Sequence, residues 1–307
     1  MEKKVLFLVG PTGSGKSEVA LALAKKLKGE VISCDAMQVY KDMDIGTAKP
    51  TFAEQRKAPH HLINLVSPRS EYSVFQHRQL ALKVMKQIFQ RNRTPVVVGG
   101  SGLYVKALID GLAPQPGKQL MLRKKLEALA SKEEGSSLYS RLKKIDPRRA
   151  QTIHPHDKKR IIRALEILET SERSQVDWKS ETEGLESIGI QPVIFGLFWD
   201  RKKLYERIEK RVDRMFRRGW IVEVKHLKRV GFSKTAKAAI GYHELLEYLQ
   251  GNYALTKAID EIKKRTRNLA KRQMTWFRAD KRIYWISVSG DQALKDAVGL
   301  IIQKFTQ

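Results

Sequence analysis

The chain has 307 residues, 42% of them hydrophobic and 30% charged, which is enough apolar material to fold without disulfides or structural metals. Its mean hydropathy is -0.42, and no apolar run approaches the roughly 20 residues that cross a bilayer, which excludes a membrane-spanning protein. The sequence contains one cysteine, Cys34, and no export signal is visible before the first motif, so we expect a cytoplasmic protein.

Basic residues far outnumber acidic ones. Lys and Arg total 59 and Asp and Glu 33, which gives a formal net charge of +26 at pH 7. Such an excess costs self-repulsion in a compact fold, so we expect a polyanionic partner, and nucleic acid is the one we favour because the basic residues cluster along candidate helices. The alternative is a uniformly solvated basic surface, and charge does not separate RNA from DNA.

The first third of the chain alternates short apolar runs with helical patterns. The runs predict strands over residues 4–10, 31–34, 61–66 and 95–99, and the apolar spacing predicts helices over 17–28 and 72–90. Apolar strands that alternate with helices are typical of a parallel sheet covered on both faces. We therefore expect an α/β fold.

The pattern changes after a turn-rich connector at residues 111–117. We predict helices around Leu126, Leu142 and Leu165, the last capped by Asp157, and a loop over 170–189. A strand over 192–199, helices over 201–280, an edge strand over 282–287 and a terminal helix follow. The predicted domains are an α/β core of residues 1–117 and 191–307 and an all-helical insertion of residues 118–190.

A glycine-rich segment follows the first predicted strand and opens the first predicted helix. It matches the phosphate-binding loop (P-loop) pattern with Gly10, Pro11, Thr12, Gly13, Ser14, Gly15, Lys16 and Ser17. In this pattern backbone amides converge on phosphate oxygens, Lys16 supplies a mobile cation, and the Ser17 hydroxyl reaches Mg²⁺. The segment predicts a site for a diphosphate or triphosphate with its metal, and it does not by itself indicate ATP hydrolysis.

Two further polar residues stand where the sheet should open onto the same crevice. The valine-rich strand ends in Gly99 and Gly100 with no carboxylate after it, whereas Asp35 ends the second strand. A carboxylate there can accept a proton from an incoming nucleophile, and Ser101 can present its hydroxyl or its N–H. The alternatives are a turn or cap residue for Asp35 and a helix N-cap for Ser101.

Seven segments carry a resemblance to a known family. They lie at residues 35–40, 43–50, 58–62, 98–104, 153–166, 239–242 and 269–277, and in this order they resemble the signatures of the tRNA dimethylallyltransferases. The resemblance implies a P-loop fold with a helical insertion that moves dimethylallyl from its diphosphate to N6 of the adenosine on the 3′ side of the anticodon. The chain departs from the family pattern at Ala36, usually Ser, and at Ser101, usually Thr.

The resemblance also assigns roles to the residues of the crevice. The P-loop with Mg²⁺ would hold the diphosphate as leaving group, Asp35 would accept the proton of the adenine amine, and Ser101 would lie by the bridging oxygen. Thr12 joins Asp35 and Ser101 as a candidate catalytic residue. The acceptor adenosine would have to leave the stacked anticodon loop.

The candidate tRNA contacts lie in the same motifs and on basic helices. They are Asp35, Ala36, Met37, Gln38 and Ser101, then Arg123, Lys159, Arg160, Ile161, Ile162 and Arg163 in the insertion, and Ile240, Gly241, Tyr242, Arg267, Lys271 and Arg272 near the end of the chain. The alternative for the basic residues is a solvated helical face.

A long helix is predicted around residues 253–278. Its spacing turns Ile259, Ile262, Leu269 and Trp276 toward a core and Lys264, Arg267, Lys271 and Arg278 toward phosphates.

Upstream, His154 and His156 precede Asp157, and a loop followed by a helix cap fits them better than a metal site.

Three other functions share parts of this pattern. A kinase for a small acceptor would use the same P-loop and Asp35 as base, but it would leave the positive charge unexplained. A non-catalytic RNA-binding nucleotide switch would have no use for Asp35 and Ser101 together. An isopentenyltransferase acting on free adenine nucleotides is the nearest rival.

We expect the substrates to be a tRNA anticodon stem-loop and dimethylallyl diphosphate, and the protein to act as a monomer.

Overall fold

The computed structural model describes residues 3–113, 116–117, 119–132, 136–170 and 182–307. The chain divides into two compact units, Met1–Ile109 with Gly184–Gln307, and Asp110–Glu183. The second unit therefore begins and ends earlier than the predicted insertion of residues 118–190, so that residues 184–190 belong with the α/β core.

The core contains a six-stranded sheet. Its strands are β1 (Lys3–Val9), β2 (Glu30–Ser33), β3 (His60–His61), β4 (Pro95–Gly99), β5 (Ile190–Trp199) and β6 (Tyr284–Val288). They are ordered β3-β2-β4-β1-β5-β6, and every neighbouring pair is parallel. The carboxyl ends of all the strands therefore lie at one edge, which is where ligands bind in sheets of this kind.

The helices of the core fall before and after the insertion. Before it are α1 (Lys16–Lys26), α2 (Phe52–Lys57), α3 (Val74–Gln90) and α4 (Gly102–Ile109). The helical unit contributes α5 (Leu120–Lys132), α6 (Ser136–Ile145), α7 (Pro147–Gln151) and α8 (Lys158–Thr170). After it are a 3₁₀ turn (Glu186–Ile188), α9 (Arg201–Arg217), α10 (Trp220–Val230), α11 (Lys234–Lys237), α12 (Tyr242–Leu249), α13 (Leu255–Arg278) and α14 (Asp291–Thr306).

Side chains of β1 alternate between two hydrophobic cores. Leu6 and Leu8 join a cluster that includes residues of α1 and α14, whereas Val5, Phe7 and Val9 join one that includes residues of α3 and α4. Because successive side chains of a strand point to opposite faces, an all-apolar strand must be covered on both sides. The predicted α/β core with a parallel sheet is confirmed.

The helical unit has a core of its own. Leu126, Leu142 and Leu165, the residues that mark the predicted helices, are all buried in it. At the start of α8 the backbone N–H of Arg160 donates to Oδ1 of Asp157 at 3.1 Å, so the predicted cap is confirmed. None of the helices in the described ranges is both long and apolar enough to cross a membrane.

The third strand is much shorter than predicted. Leu62 and Asn64 have φ angles of 62° and 55°, values that end an extended strand. The following segment turns back onto the loop after β2, where the N–H of Leu65 donates to the carbonyl of Val39 at 2.7 Å. The prediction of a strand over 61–66 is therefore wrong beyond His61, because tertiary contacts override the local apolar pattern.

Candidate active site

The predicted P-loop connects the end of β1 to the start of α1. Gly10, Gly13 and Gly15 have φ angles of 141°, 83° and 87°, which side chains with a Cβ rarely adopt. A Cβ on Gly15 would also come within 2.8 Å of a methyl group of Leu294. No side chain caps α1 at Gly15, so the first amides of this helix are left to a ligand, and a helix N-terminus favours an anion.

The P-loop forms one wall of a pocket of 940 Å³. The facing wall is strongly basic, and its cations repeat every three or four residues along one side of α9 and just beyond it: Arg207, Lys210, Arg211, Arg214 and Arg218. Sequence analysis did not identify these residues. Their helical spacing was visible, but only the fold brings this helix to the P-loop.

Two of these arginines contact the P-loop directly. The Nε of Arg207 donates to the carbonyl of Gly13 at 3.2 Å, and Nη1 of Arg211 donates to Oγ1 of Thr12 at 3.2 Å. The guanidinium of Arg207 also lies 4.4 Å from the ring centre of Trp199. Both line the pocket, and planar, permanently charged groups with several donors suit phosphate oxygens.

Lys16 is partly neutralised by its surroundings. Its Nζ donates to the carbonyl of Pro11 at 2.6 Å. Burial and the nearby charge of Arg211 lower the pKa of Lys16 to about 7, although the carboxylate of Asp35 acts in the opposite direction. A bound diphosphate would supply the missing negative charge and restore the ammonium form.

Asp35 and Ser101 meet at the carboxyl edge of the sheet, as predicted. Oγ of Ser101 accepts a hydrogen bond from the N–H of Ala36 at 3.1 Å, so the serine is not merely a helix cap. The bond uses the backbone of residue 36, and alanine provides it as well as serine would. The charge of the Asp35 carboxylate raises the pKa of Lys16 and of Arg211, against the lowering caused by burial.

Asp35 also has the turn role that was considered as an alternative. Its Oδ1 accepts from the N–H of Met37 at 2.8 Å, which fixes the orientation of the carboxylate. No hydrogen bond from a described residue reaches Oδ2 of Asp35. One oxygen thus holds the carboxylate in place.

Gln273 on α13 joins the P-loop to the turn before Ser101. Its Oε1 accepts from the N–H of Thr12 at 2.8 Å, and its Nε2 donates to the carbonyl of Gly100 at 2.9 Å. A Cβ on Gly100 would come within 2.4 Å of that Nε2. Gln273 lies in the seventh of the segments noted above, but nothing in the sequence indicated its partners.

The loop after Asp35 is held by internal contacts. Oε1 of Gln38 accepts from the Ser33 hydroxyl at 2.8 Å, and its Nε2 donates to the carbonyls of Thr47 and Ala48 at 3.3 and 3.2 Å. The Gln38 amide is therefore engaged in hydrogen bonds within the protein. Buried Lys49 adds bonds from its Nζ to the carbonyl of Tyr40 and to Oδ1 of Asn64, each at 2.6 Å.

Glu223 on α10 anchors the far end of this loop. Its carboxylate accepts from the N–H groups of Asp44, Ile45 and Gly46 at 2.9, 2.6 and 3.2 Å. It also accepts from the hydroxyl of Tyr242 at 2.7 Å. Tyr242 is fully buried, so its assignment as a tRNA contact is corrected: its hydroxyl positions Glu223.

Three more predicted tRNA contacts have structural roles instead. The side chains of Ile161 and Ile162 are buried in the core of the helical unit, which removes them from any ligand. Gly241 has a φ of 91°, and a Cβ there would come within 2.0 Å of the Trp220 ring. The motif that contains it is explained by close packing, whereas neighbouring Ile240 is only partly buried.

Some of the basic residues predicted to contact tRNA are paired with carboxylates, and others are exposed at the surface. Arg123 and Arg163 both bind the buried carboxylate of Glu166, at 3.0 and 2.9 Å, and Arg267 binds Glu209 at 2.6 Å. Exposed at the surface are Lys159, Arg160, Lys271 and Arg272, of which Arg160 pairs with Asp157 at 3.2 Å.

Two predictions about individual residues also have an outcome. The N–H of His156 donates to Nδ1 of His154 at 3.3 Å, and Asp157 caps α8, in agreement with a loop and cap. Trp276, however, is 42% exposed, so the prediction that it faces a core is wrong. The buried face of α13 is formed by Ala258, Ile262, Ala270 and Phe277.

The residues present are compatible with Mg²⁺ brought by a diphosphate. Ser17 is exposed in the first turn of α1 and lines the pocket. Mg²⁺ keeps several waters and needs few protein oxygens when a substrate phosphate supplies others. A single hydroxyl beside the P-loop fits this mode, and a dedicated protein cage is not required.

A P-loop on a parallel sheet, a basic helix that lines the pocket beside it and a carboxylate, Asp35, at the end of another strand define a P-loop protein with a candidate phosphate site and a candidate general base. Comparison with known families is more specific. The family model described as IPP transferase matches residues 38–280, and the chain belongs to that family.

Individual relatives agree with this assignment. The chain is 44% identical over 310 residues to the tRNA dimethylallyltransferase of Carboxydothermus hydrogenoformans, with 98% of this chain and 97% of the relative covered. It is 43% identical over 290 residues to the enzyme of the same name from Pelotomaculum thermopropionicum, with 94% and 91% covered.

Solved structures show the same fold. The tRNA isopentenylpyrophosphate transferase of Bacillus halodurans has a TM-score of 0.71 and 39% identity and covers 100% of this chain and 97% of its own. A eukaryotic dimethylallyltransferase acting on tRNA has a TM-score of 0.81 and 29% identity, with 98% of this chain and 77% of that chain covered.

Proposed function

We propose that the protein transfers the dimethylallyl group of dimethylallyl diphosphate to N6 of the adenosine on the 3′ side of the anticodon in tRNA. The observation that carries the proposal is the hydrogen bond that joins Ser101 to the backbone beside Asp35, together with the charge of Asp35 acting on Lys16 of the P-loop, in a chain of the IPP transferase family. Relatives with about this chain length are tRNA dimethylallyltransferases.

The basic wall of the pocket supports the departure of diphosphate. The bond between the allylic carbon and the bridging oxygen breaks, and negative charge grows on the diphosphate. Lys16, Arg207 and Arg211 lie where they neutralise that charge, together with the amides at the start of α1. When bound, Mg²⁺, which Ser17 would help to hold, supplies further charge neutralisation.

The acceptor side supports attack by a weak nucleophile. The new bond joins N6 of adenine to the allylic carbon, and N6 loses one proton, which Oδ2 of Asp35 accepts. Because Oγ of Ser101 already accepts from the N–H of Ala36, its own O–H is directed away from that amide and can donate a hydrogen bond to the leaving oxygen. Alignment of the two substrates in one pocket supplies much of the acceleration.

The surface charge favours tRNA over a small acceptor. A kinase would share the P-loop and Asp35, but neither the net charge of +26 nor the names of the relatives support it. We place exposed Lys159 and Arg160 of the helical unit against tRNA phosphates, together with Lys271 and Arg272 of the core. The protein would act as a monomer in the cytoplasm, where tRNA is modified.

The proposed reaction has a direct test. Purified protein is incubated with dimethylallyl diphosphate, Mg²⁺ and unmodified tRNA, and the nucleosides are analysed by mass spectrometry. We expect N6-isopentenyladenosine from tRNA, none with AMP as acceptor, and none with the Asp35→Asn variant. Prenylation of AMP in place of tRNA, or phosphate transfer from ATP without prenyl transfer, would contradict the proposal.

The role of the helical unit has a separate test. Lys159→Ala and Arg160→Ala should each weaken tRNA binding and reduce the slope of log K against log salt by about 0.7 to 0.9 per lost phosphate contact. Lys143→Ala, at an exposed position of α6, serves as the matched control for the loss of one charge. Equal slopes of log K against log salt in all three variants would show that the basic face of α8 is a solvated surface that does not bind tRNA.

A further inference from the structure

Trp276 occupies an unusual place for a large aromatic side chain. It lies in the last turn of α13 and is 42% exposed, whereas its neighbour Phe277 is 2% exposed. The core face of the helix is complete without it. Leu103, which follows Gly102 in α4, is 51% exposed as well. Large apolar side chains left exposed beside a functional site are candidate parts of a binding surface.

The indole is placed beside the acceptor side of the active site. A Cβ on Gly102 would come within 2.2 Å of Cδ1 and 2.4 Å of Nε1 of Trp276, so the ring lies directly on the backbone of that glycine. Gly102 follows Ser101, whose Oγ accepts from Ala36 beside Asp35. The Trp276 ring therefore packs on Gly102, the residue next to Ser101. Ser101 and Asp35 are the groups proposed to receive the adenine amine.

Positive charge surrounds the same ring. Trp276 lines an open pocket of 380 Å³ with Asn268, Lys271, Arg272 and Thr275. Lys271 and Arg272 are exposed, and neither has an ion-pair partner among the residues that the structure describes. Arg267, one turn earlier, is by contrast bound to Glu209. Unpaired cations beside an exposed ring form the combination that binds unpaired nucleotides, since the ring stacks on a base and the cations meet the phosphates.

We propose that Trp276 stacks on an unpaired base of the tRNA substrate that flanks the acceptor adenosine, and that Lys271 and Arg272 bind the adjoining phosphates. This inference rests on the proposed function, since it takes the adenosine bound at Asp35 as its reference point. It explains why the indole is left at the surface and why position 102 is glycine. A flanking base held on the indole also keeps the acceptor base out of the stack.

Stacking and charge respond differently to salt, and this separates the two contributions. Binding of an unmodified anticodon stem-loop is measured over a range of salt concentrations for the wild type, Trp276→Leu, Trp276→Phe and Lys271→Ala. Trp276→Leu should weaken binding by about 5- to 150-fold with an unchanged salt slope. Lys271→Ala should reduce the slope by about 0.7 to 0.9. Trp276→Phe keeps an aromatic ring and should retain most of the affinity.

A matched control tests whether any exposed aromatic would behave in this way. Tyr284 is 43% exposed and stands at the amino end of β6, away from the edge that holds the P-loop. Tyr284→Leu should bind the stem-loop as the wild type does. Affinity for dimethylallyl diphosphate should be equal in all variants, because the ring does not line the diphosphate pocket.

The stacked base itself can be removed. Stem-loops with an abasic site on either side of the acceptor adenosine are compared with the intact stem-loop. At the site that meets Trp276, removal of the base should weaken binding by the wild type and cause no further loss in Trp276→Leu. Additive losses at both sites would overturn the inference, and so would wild-type affinity of Trp276→Leu.

Melting temperatures and prenylation assays distinguish a packing role of Trp276, and a failure of the proposed function, from the stacking role. A lower melting temperature for Trp276→Leu and Trp276→Phe alike, with equal losses of affinity, would make Trp276 a packing residue and overturn the inference. Failure of the proposed function is detected separately, as the absence of prenylated tRNA with the wild-type protein. Wild-type prenylation together with an unaffected Trp276→Leu variant would reject the stacking role alone.

Discussion

The backbone N–H of Thr12 donates to the side-chain oxygen of Gln273 at 2.8 Å, across a sequence separation of 261 residues. The nitrogen of the same amide group donates to Gly100, the residue before Ser101. One side chain thus sets the distance between the loop that holds the leaving group and the turn that faces the acceptor. A transfer reaction depends on that distance, because misalignment of the two reactants by about 1 Å is costly.

Replacement of Gln273 by Met should therefore affect turnover more than binding. Met has a similar length but neither donates nor accepts these bonds, and two lost hydrogen bonds predict a fall in kcat of about tenfold or more. The stem-loop affinity should change little. Steady-state kinetics with both substrates checks this, with Gln303→Met at an exposed position of α14 as the control. If the variant had normal kcat and a lowered melting temperature, the two hydrogen bonds of Gln273 would stabilise the fold without contributing to catalysis.

Replacement of Asp35 by Asn should stop catalysis while both substrates still bind. Asn keeps an oxygen for the N–H of Met37 but cannot take a proton from N6, so turnover should fall by about 10² to 10⁴. Single-turnover rates and tRNA affinity are measured on the same preparation. If tRNA binding weakened tenfold or more while the chemical step stayed near the wild-type rate, Asp35 would be a recognition residue.

Diphosphate binding should take up a proton above neutral pH. Burial and Arg211 lower the pKa of Lys16 to about 7, so at pH 8 most of the free protein has neutral Lys16, and a bound diphosphate raises that pKa again. Affinity for dimethylallyl diphosphate should therefore fall as pH rises above about 7. Calorimetry at pH 8 in two buffers of different ionisation enthalpy measures the uptake. In Lys16→Met the uptake should vanish, and its persistence would assign the proton to another group.

Acid should destabilise the protein through His77. This side chain on α3 is buried beside Tyr72 and Tyr104, and burial lowers its pKa from 6.5 to about 4. The unfolded chain therefore binds more protons between pH 6.5 and 4, so stability falls as pH decreases through that window. The loss at and below pH 4 should approach about 3 kcal/mol.

Urea unfolding at pH 7 and pH 4.5 measures the effect of His77. His77→Asn cannot titrate, so the difference between its unfolding free energies at the two pH values should be smaller than in the wild type. Exposed His226 provides the control variant His226→Asn, which should keep the wild-type difference. An equal difference in all three proteins would mean that other groups cause the acid loss.

Features that depend on neighbouring residues were predictable. The P-loop requires glycines at positions with positive φ and a lysine and a serine at the helix start, and these occur within eight consecutive residues. The apolar run of β1 likewise requires helices on both faces, and Asp35 follows its strand directly. In each case the chemistry is set by backbone geometry over a few residues, which the sequence displays.

What the sequence did not display are contacts between distant segments. Arg211 reaches Thr12 across 199 positions, and Glu223 meets the loop at Asp44 across 179. Contacts of the same kind bury Tyr242 and end the third strand at His61, where the following segment turns back and Leu65 bonds to Val39. A periodic pattern shows that a helix has two faces, but which neighbour covers each face depends on how all the layers pack. Trp276 is the clearest case: its spacing resembled a core position, and only the completed face of α13 left it at the surface beside Gly102.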